Sequence, residues 1–237
     1  MKERVIVITG AAGNIGGRLL AAMRDKFALV LLDKKENKNE TIVYADFSKY
    51  DSNWTKHFCD VSTVLHLAGN PRQNAEWEEL FSDNIDAVLN ICHACVEKKV
   101  GRLIFASSCH TMGGYMNTDI NLITAGMKPL PDSPYGISKV IGERICKSFS
   151  ERYSLSVICL RIGWVPHGDK KPNSKLSRWH RSLWLSNRDL SQIFERAILA
   201  EDIKFKILYA MSNNKEMVWD LEATIKTLNY KPQDGMP

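Results

Sequence analysis

The sequence predicts an α/β protein built on a doubly wound parallel sheet with helices on both faces, and three observations predict it. Short apolar, β-rich runs alternate with helical patterns from Arg4 through Arg161. The first run, Val5-Ile6-Val7-Ile8, feeds straight into a glycine-rich turn that opens a helix. No internal repeat or low-complexity tract interrupts the rhythm. Strands interleaved with helices form βαβ units, which force a parallel sheet. Right-handed crossovers then leave few topologies, with the doubly wound order favoured.

The elements follow in order. A strand over Arg4 to Ile8 precedes a helix over Gly16 to Asp25; strands follow at Leu29 to Leu32, Ile42 to Tyr44 and Val61 to Leu67. One long helix is expected from Glu76 to Lys99, then a strand from Leu103 to Ala106. Pro134 suits the first turn of a helix running to Tyr153, and Ser133 can cap it. A strand at Ser156 to Arg161 closes this core, which the reading bounds at residues 1–163. Residues 164–237 form a small substrate-side appendage on the same domain: a polar loop, a helix at Ser191 to Leu199, a strand at Phe205 to Ala210 and a helix at Asp220 to Leu228. The loops at 69–75, 109–133 and 163–182 follow strand C-termini, the edge where open parallel sheets bind ligands.

Composition removes several function classes. The chain has 237 residues, 44% hydrophobic and 25% charged, an ordinary globular balance. Its net charge of +5 is spread along the chain without a basic tract, which argues against a nucleic-acid partner. The cluster Lys170, Lys171, Lys175, Arg178 and Arg181 is either a solvated loop or an attractor for an anionic substrate. After Met1-Lys2-Glu3-Arg4 the apolar run holds four residues, where a secretory leader needs roughly seven to fifteen. No run approaches the roughly 18 residues of a membrane span. The expectation is a cytoplasmic protein with no membrane partner. Its six cysteines then stay reduced, and Cys92-x-x-Cys95 reads as a pair of buried helical thiols, with no metal site.

The turn Thr9-Gly10-Ala11-Ala12-Gly13-Asn14-Ile15-Gly16-Gly17 supplies what a pyrophosphate needs: a sharp bend, close backbone approach and a helix N-terminus with free N–H groups. Gly10, Ala12, Gly13, Asn14 and Ile15 are the candidate contacts. Asp33 ends the second strand, 17 residues past Gly16. A carboxylate there accepts both hydroxyls of the adenosine ribose and repels a 2′-phosphate, so NAD is expected over NADP. Lys34 and Lys35 pull the other way, since a cation tolerates that phosphate. This is the Rossmann type of doubly wound fold.

Tyr135 and Lys139 stand four residues apart, one turn on the same helix face. An ammonium there stabilises a phenolate and brings tyrosine toward use as a general base. The expected strand from Leu103 ends beside two hydroxyls, Ser107 and Ser108, at the edge where a dinucleotide lies. Ser108 can hydrogen-bond the substrate oxygen whose proton Tyr135 takes. His110 is read as either a substrate neighbour or a loop histidine with a structural hydrogen bond, and His66 as a satisfied core residue.

Thr9-Gly10-x-x-Gly13-x-x-Gly16, His66-Leu67-Ala68-Gly69, Asn84, Ser107-Ser108 and Tyr135-x-x-x-Lys139 together resemble the extended short-chain dehydrogenase/reductases, the NAD-dependent epimerase/dehydratase group, over nearly the whole chain. Within that group the stretch from Phe105 to Gly113, the segment Tyr135-Gly136-Ile137-Ser138-Lys139, Arg161-Ile162-Gly163 and Leu228-Asn229-Tyr230-Lys231-Pro232 are similar to uronate dehydrogenases, which oxidise C1 of a hexuronic acid with NAD. The resemblance implies that Ser108, Tyr135 and Lys139 are catalytic. It implies that Asp46, Phe47, Leu67, Ala68, Gly69, Asn84, Ser107 and Ile162 also meet the cofactor. Pro71, Cys109, His110, Trp164 and Lys175 would border the substrate. Four of these depart from the pattern: Cys109 replaces an amide, Trp164 a serine and Pro71 a hydroxyl, and only lysine stands near Ser174 and Lys175 where the group uses arginine for a carboxylate.

The reading is an NAD-dependent oxidoreductase of a small sugar or sugar acid. A nucleotide-sugar epimerase or dehydratase, which reduces and reoxidises its cofactor within one turnover, is the alternative. A non-catalytic NAD(H)-binding protein is the third. Paired helices at 84–99 and 134–153 resemble the superfamily's four-helix dimer surface, so a homodimer is expected.

Overall fold

The computed structural model describes residues 4–36, 40–171, 173 and 175–236. The opening Met1, Lys2 and Glu3, read above against a leader, and Ser174, one of the two positions weighed for a carboxylate partner, lie outside them.

Seven strands form one parallel sheet: β1 (Val5–Thr9), β2 (Ala28–Asp33), β3 (Val43–Tyr44), β4 (Thr63–His66), β5 (Arg102–Ser108), β6 (Ser156–Ile162) and β7 (Phe205–Ala210). They lie in the order β3-β2-β1-β4-β5-β6-β7, all parallel, with the chain reversing direction of travel between β1 and β4. This is the doubly wound topology, and its switch point sits where β1 and β4 diverge. The central strands are buried on both faces, which explains why they read as continuous Val, Ile and Leu runs instead of alternating patterns.

The helices are α1 (Asn14–Met23), α2 (Ser52–Thr55), α3 (Trp77–Leu80), α4 (Ala87–Glu97), α5 (Pro134–Arg152), α6 (Arg178–Ser182), α7 (Asn187–Leu199) and α8 (Glu222–Leu228). On one face α1 and α7 cover the sheet through Leu19, Leu20, Leu190, Ile193 and Phe194. On the other, α4 meets it through Val88, Ile91, Cys92 and Cys95 and α5 through Cys146. Ser133 caps α5 as the sequence predicts, accepting the Gly136 N–H at 3.1 Å. Cys92 and Cys95 are buried in this second layer, where burial pushes the Cys95 thiol up. Among the described residues no helix is long and apolar enough to cross a membrane.

Four expectations need correction. The single helix over Glu76 to Lys99 is interrupted by a π-helical stretch, Phe81–Asp86, between α3 and α4. One widened turn there returns Asn84 toward the loop after β4, a local demand that apolar periodicity does not register. The loops at 109–133 and 163–182 contain a 3-10 segment, Cys109–Asn117, and α6. The helix expected from Ser191 starts at Asn187, because Ser186 caps it by accepting the Asp189 N–H at 3.1 Å. The residues after 163 are also only partly an appendage: β7 pairs with β6 along six residues and α7 fills one side of the main core.

Candidate active site

The glycine turn and the ends of β2 and β4 enclose a cleft of about 680 Å³ at the C-terminal edge of the sheet. Gly10, Ala12, Gly13, Asn14, Ile15, Asp33, Phe47, Leu67, Ala68, Gly69 and Pro71 all line it. The turn is shaped for close approach. Gly10 has φ +71°, and a Cβ on it would stand 2.7 Å from the Ala68 nitrogen. A Cβ on Gly16 would stand 2.2 Å from the Gly10 carbonyl oxygen. Gly13 begins α1 without a side-chain cap, so the first-turn N–H groups are offered to an anion. Asn14 and Arg18 tie this helix to the loop after β6: Asn14 Nδ2 donates to the Val165 carbonyl at 2.9 Å and Arg18 Nη2 to that of Pro166 at 2.6 Å.

Asp33 is held by the backbone. Its Oδ2 accepts the Ala12 N–H and its Oδ1 the Lys35 N–H, both at 2.9 Å, which leaves further lone pairs directed outward for hydroxyls. The cleft, the uncapped helix and this carboxylate fit a dinucleotide, with pyrophosphate on the turn and ribose on Asp33. Lys34 is turned away from that carboxylate and bridges Asp46 and Asp83 at 2.9 Å each; Asp46 also accepts the Ser48 hydroxyl at 2.6 Å. Those hydrogen bonds hold the Lys34 ammonium above its ordinary range, burial opposing them.

Several residues assigned to the cofactor stand behind the cleft wall. Asn84 braces the loop instead: its Oδ1 accepts the Asn70 N–H at 2.7 Å, and its Nδ2 donates to the Asn70 carbonyl at 3.1 Å and to Ser138 Oγ at 2.9 Å. Ser107 turns its hydroxyl inward to Glu143 at 2.6 Å. Ile162 packs in the core at the end of β6.

The catalytic candidates do converge. Ser108 ends β5, where its hydroxyl accepts the His110 N–H at 3.2 Å and lies close enough to the Tyr135 phenol of α5 to influence its ionisation. Lys139 is buried and donates to the Ala106 carbonyl at 2.9 Å, with its ammonium 5.0 Å from the Phe105 ring centroid and 5.6 Å from that of Tyr135. The expectation of a lowered phenol needs correction: burial pushes Tyr135 up to about 12, with the neighbouring Ser108 hydroxyl pulling back. The ammonium faces a carbonyl, not the phenol, so burial wins. Burial takes Lys139 down to about 8, with Cys146 and Glu143 opposing.

His110 is both anchored and adjacent. Its Nδ1 lies 2.8 and 3.0 Å from the two Asp132 oxygens, its Nε2 lies 3.0 Å from Gln73 Nε2, and its ring meets Tyr135 edge-on at 5.8 Å. Sequence reasoning missed Asp132 and Gln73, whose positions in long loops carry no periodic signal. Cys109 is buried, and burial takes its thiol up to about 12. Trp164 is 42% exposed, and its backbone is tied to Leu183 and Leu185. Lys175 is exposed and does not line the cleft; among the described residues the cations that do are Lys34, Lys35 and Arg72.

His66 is half-satisfied. Thr9 Oγ1 accepts the Leu67 and Ala68 N–H groups and so gives its own proton to His66 Nδ1 at 2.8 Å, leaving Nε2 buried without a partner among the described residues. Burial, helped by the Lys139 charge, holds this imidazole down at about 3, so it is neutral.

A glycine turn at a switch point, a ribose-facing carboxylate and a Ser-Tyr-Lys cluster at the end of the fifth strand define a dinucleotide-dependent enzyme of the short-chain dehydrogenase/reductase type. The chain belongs to the NAD dependent epimerase/dehydratase family, whose model matches residues 6–190. It is 30% identical to an L-arabinose 1-dehydrogenase (NAD(P)(+)) of Haloferax volcanii, over 97% of this chain and 96% of that one. It is 32% identical to a uronate dehydrogenase of Pseudomonas syringae pv. tomato, over 97% and 82%. A solved structure of a mutated uronate dehydrogenase superposes with a TM-score of 0.86 at 28% identity, covering 98% of this chain and 82% of that one.

Proposed function

We propose that the chain oxidises a small sugar or sugar acid at a ring carbinol, with NAD as hydride acceptor and Tyr135 as general base. The carrying observation is the convergence at the end of β5, where the Ser108 hydroxyl meets the Tyr135 phenol beside the buried Lys139 ammonium. Bound NAD supplies the hydride acceptor and a cationic ring. Ser108 orients the substrate hydroxyl and favours the phenolate, Tyr135 receives the substrate proton, and Lys139 offers its two remaining N–H donors to a ribose. The carbinol becomes a carbonyl, a lactone where the carbon is anomeric. His110, fixed by Asp132, faces the same space and recognises a ring hydroxyl.

The substrate class draws on the relatives, an arabinose dehydrogenase and a uronate dehydrogenase. Asp33 supports NAD over NADP. With Lys175 outside the cleft, Arg72 is the cation best placed for an acidic sugar, although it is engaged with Glu79. A panel of aldoses and hexuronic acids, offered with NAD and with NADP, tests the reading by the appearance of reduced nicotinamide absorbance. Silence across the panel would remove it.

The cytoplasm remains the compartment this reading favours, and a homodimer the assembly. Leu89 on α4 and Ile137 on α5 are exposed apolar residues on the two helices that pack as a pair, which supports a shared face. Light scattering at several concentrations reads the mass directly.

A further inference from the structure

Three successive residues at the end of β5 each face a side chain of α5, and two of them are hydrogen-bonded to it. Ser108 meets Tyr135, Ala106 gives its carbonyl to Lys139 at 2.9 Å, and Ser107 donates to Glu143 Oε1 at 2.6 Å. These α5 side chains are four residues apart, so they share one helix face. Two of them belong to the reaction described above; the third has no role in it. Glu143 is nonetheless buried, 4% exposed, and paired bidentately with Arg161 of β6: Nε to Oε1 and Nη2 to Oε2, both at 2.8 Å.

We propose that Glu143 is a positioning residue for the catalytic cluster: clamped by Arg161, it fixes the end of β5 through Ser107 and sets a carboxylate one turn behind the Lys139 ammonium. A buried ion pair is a poor device for stability alone, since well-packed apolar residues serve as well or better. Its position beside the active site points to another role. Glu143 acts on Lys139 to keep its proton, and the Arg161 guanidinium that clamps it also faces Tyr209, with Nη1 3.5 Å from its hydroxyl. The titratable groups around the ammonium are His66 from β4 and Tyr135, Glu143 and Cys146 from α5; around Glu143 they are Arg161 and Cys159 from β6 and Tyr209 from β7. His66 is neutral, so the cost of burying Lys139 is opposed from α5, by Cys146 and by Glu143, of which Glu143 is the carboxylate.

The inference concerns Lys139 and the cofactor and can be tested without knowing the sugar. NAD affinity of the full chain is measured by calorimetry across pH, in wild type, Lys139→Met, Glu143→Gln, Glu143→Asp and the double variant Glu143→Gln/Arg161→Met. The wild-type profile is expected to bend near about 8, where Lys139 titrates, and Lys139→Met to lack that bend. Glu143→Gln moves it down by about one pH unit, a tenfold change in proton affinity, because a neighbouring opposite charge has gone. Glu143→Asp keeps the charge and returns the bend toward wild type. The double variant leaves no buried charge unpartnered and carries the same reading if the single one fails to fold. A bend unmoved by Glu143→Gln or its double, or a wild-type profile without the Lys139 bend, overturns the proposal. Absence of sugar oxidation alone would not touch it.

Discussion

The Lys34 ammonium lies 2.9 Å from a carboxylate oxygen of Asp83, reaching from the end of β2 to the π-helical turn. A second carboxylate, Asp46, holds it at the same distance. The cation nearest the ribose carboxylate in sequence is therefore already neutralised, and a 2′-phosphate entering beside Asp33 would meet net negative charge. Asp83→Asn releases part of that clamp. The ratio of NADP to NAD efficiency is expected to rise about three- to tenfold, a modest figure because the site is solvent-exposed and screened. Steady-state kinetics with both cofactors reads it, and an unchanged ratio would assign NAD preference to Asp33 alone.

Gly16→Ala tests the turn. The added Cβ would sit 2.2 Å from the Gly10 carbonyl oxygen, backbone that cannot swing aside, so the turn must open where the proposed pyrophosphate site lies. NAD binding should weaken by at least about tenfold in calorimetry, with a lowered melting temperature. A Cβ on the neighbouring Gly17 would meet nothing within 4 Å, so Gly17→Ala should retain binding.

Lys139 sets function against stability. Its folded value of about 8 lies below the ordinary 10.5, so the unfolded chain holds this proton more tightly. The sign follows: below about 8 the penalty is fully present, and stability rises with pH between about 8 and 10.5. Lys139→Met removes the penalty but also the bond to Ala106, so at neutral pH a gain of about 1–3 kcal/mol is expected together with loss of turnover. Denaturant unfolding at pH 7 and pH 10 reads it, the gain shrinking at the higher pH.

The fold, and the cleft that the proposed cofactor residues line, were legible because each rests on a local rule. Alternating strand and helix signals fix the sheet, and the glycine turn and Asp33 lie where a βαβ unit must put them. Ser108, Tyr135 and Lys139 were legible by helix spacing and strand end. What escaped was tertiary. Nothing in the spacing of Ser107 and Glu143 says that the hydroxyl turns inward to a carboxylate clamped by Arg161. Lys34 looked like a phosphate partner until Asp46 and Asp83 were brought to it by separate elements. The π-turn at Phe81–Asp86 was invisible because its residues fit a regular helix as well.

Tyr135→Phe separates chemistry from binding. The ring and its packing against His110 remain, while the oxygen that meets Ser108 is lost. Removing a general base costs typically about 10²–10⁴ in rate, so turnover should fall by that factor with NAD affinity within about twofold of wild type. An equal loss in both would mean that the phenol serves the cofactor and not the proton.

Asp132 carries the last prediction. Both of its oxygens lie within 3.0 Å of His110 Nδ1, so the carboxylate places the imidazole hydrogen on Nδ1 and leaves Nε2 as an acceptor, toward the Gln73 amide and the substrate space. Asp132→Asn can offer Nδ1 an N–H instead, which permits the opposite tautomer and turns Nε2 into a donor. A ring hydroxyl that donates to His110 then loses its acceptor at a cost of about 1–3 kcal/mol, so KM for the sugar should rise by about 5- to 100-fold while KM for NAD stays near wild type. His110→Gln, which keeps an acceptor at similar reach, should recover part of that loss. If Asp132→Asn instead lowers kcat at unchanged KM, the pair acts on the proton transfer at Tyr135 and not on substrate recognition.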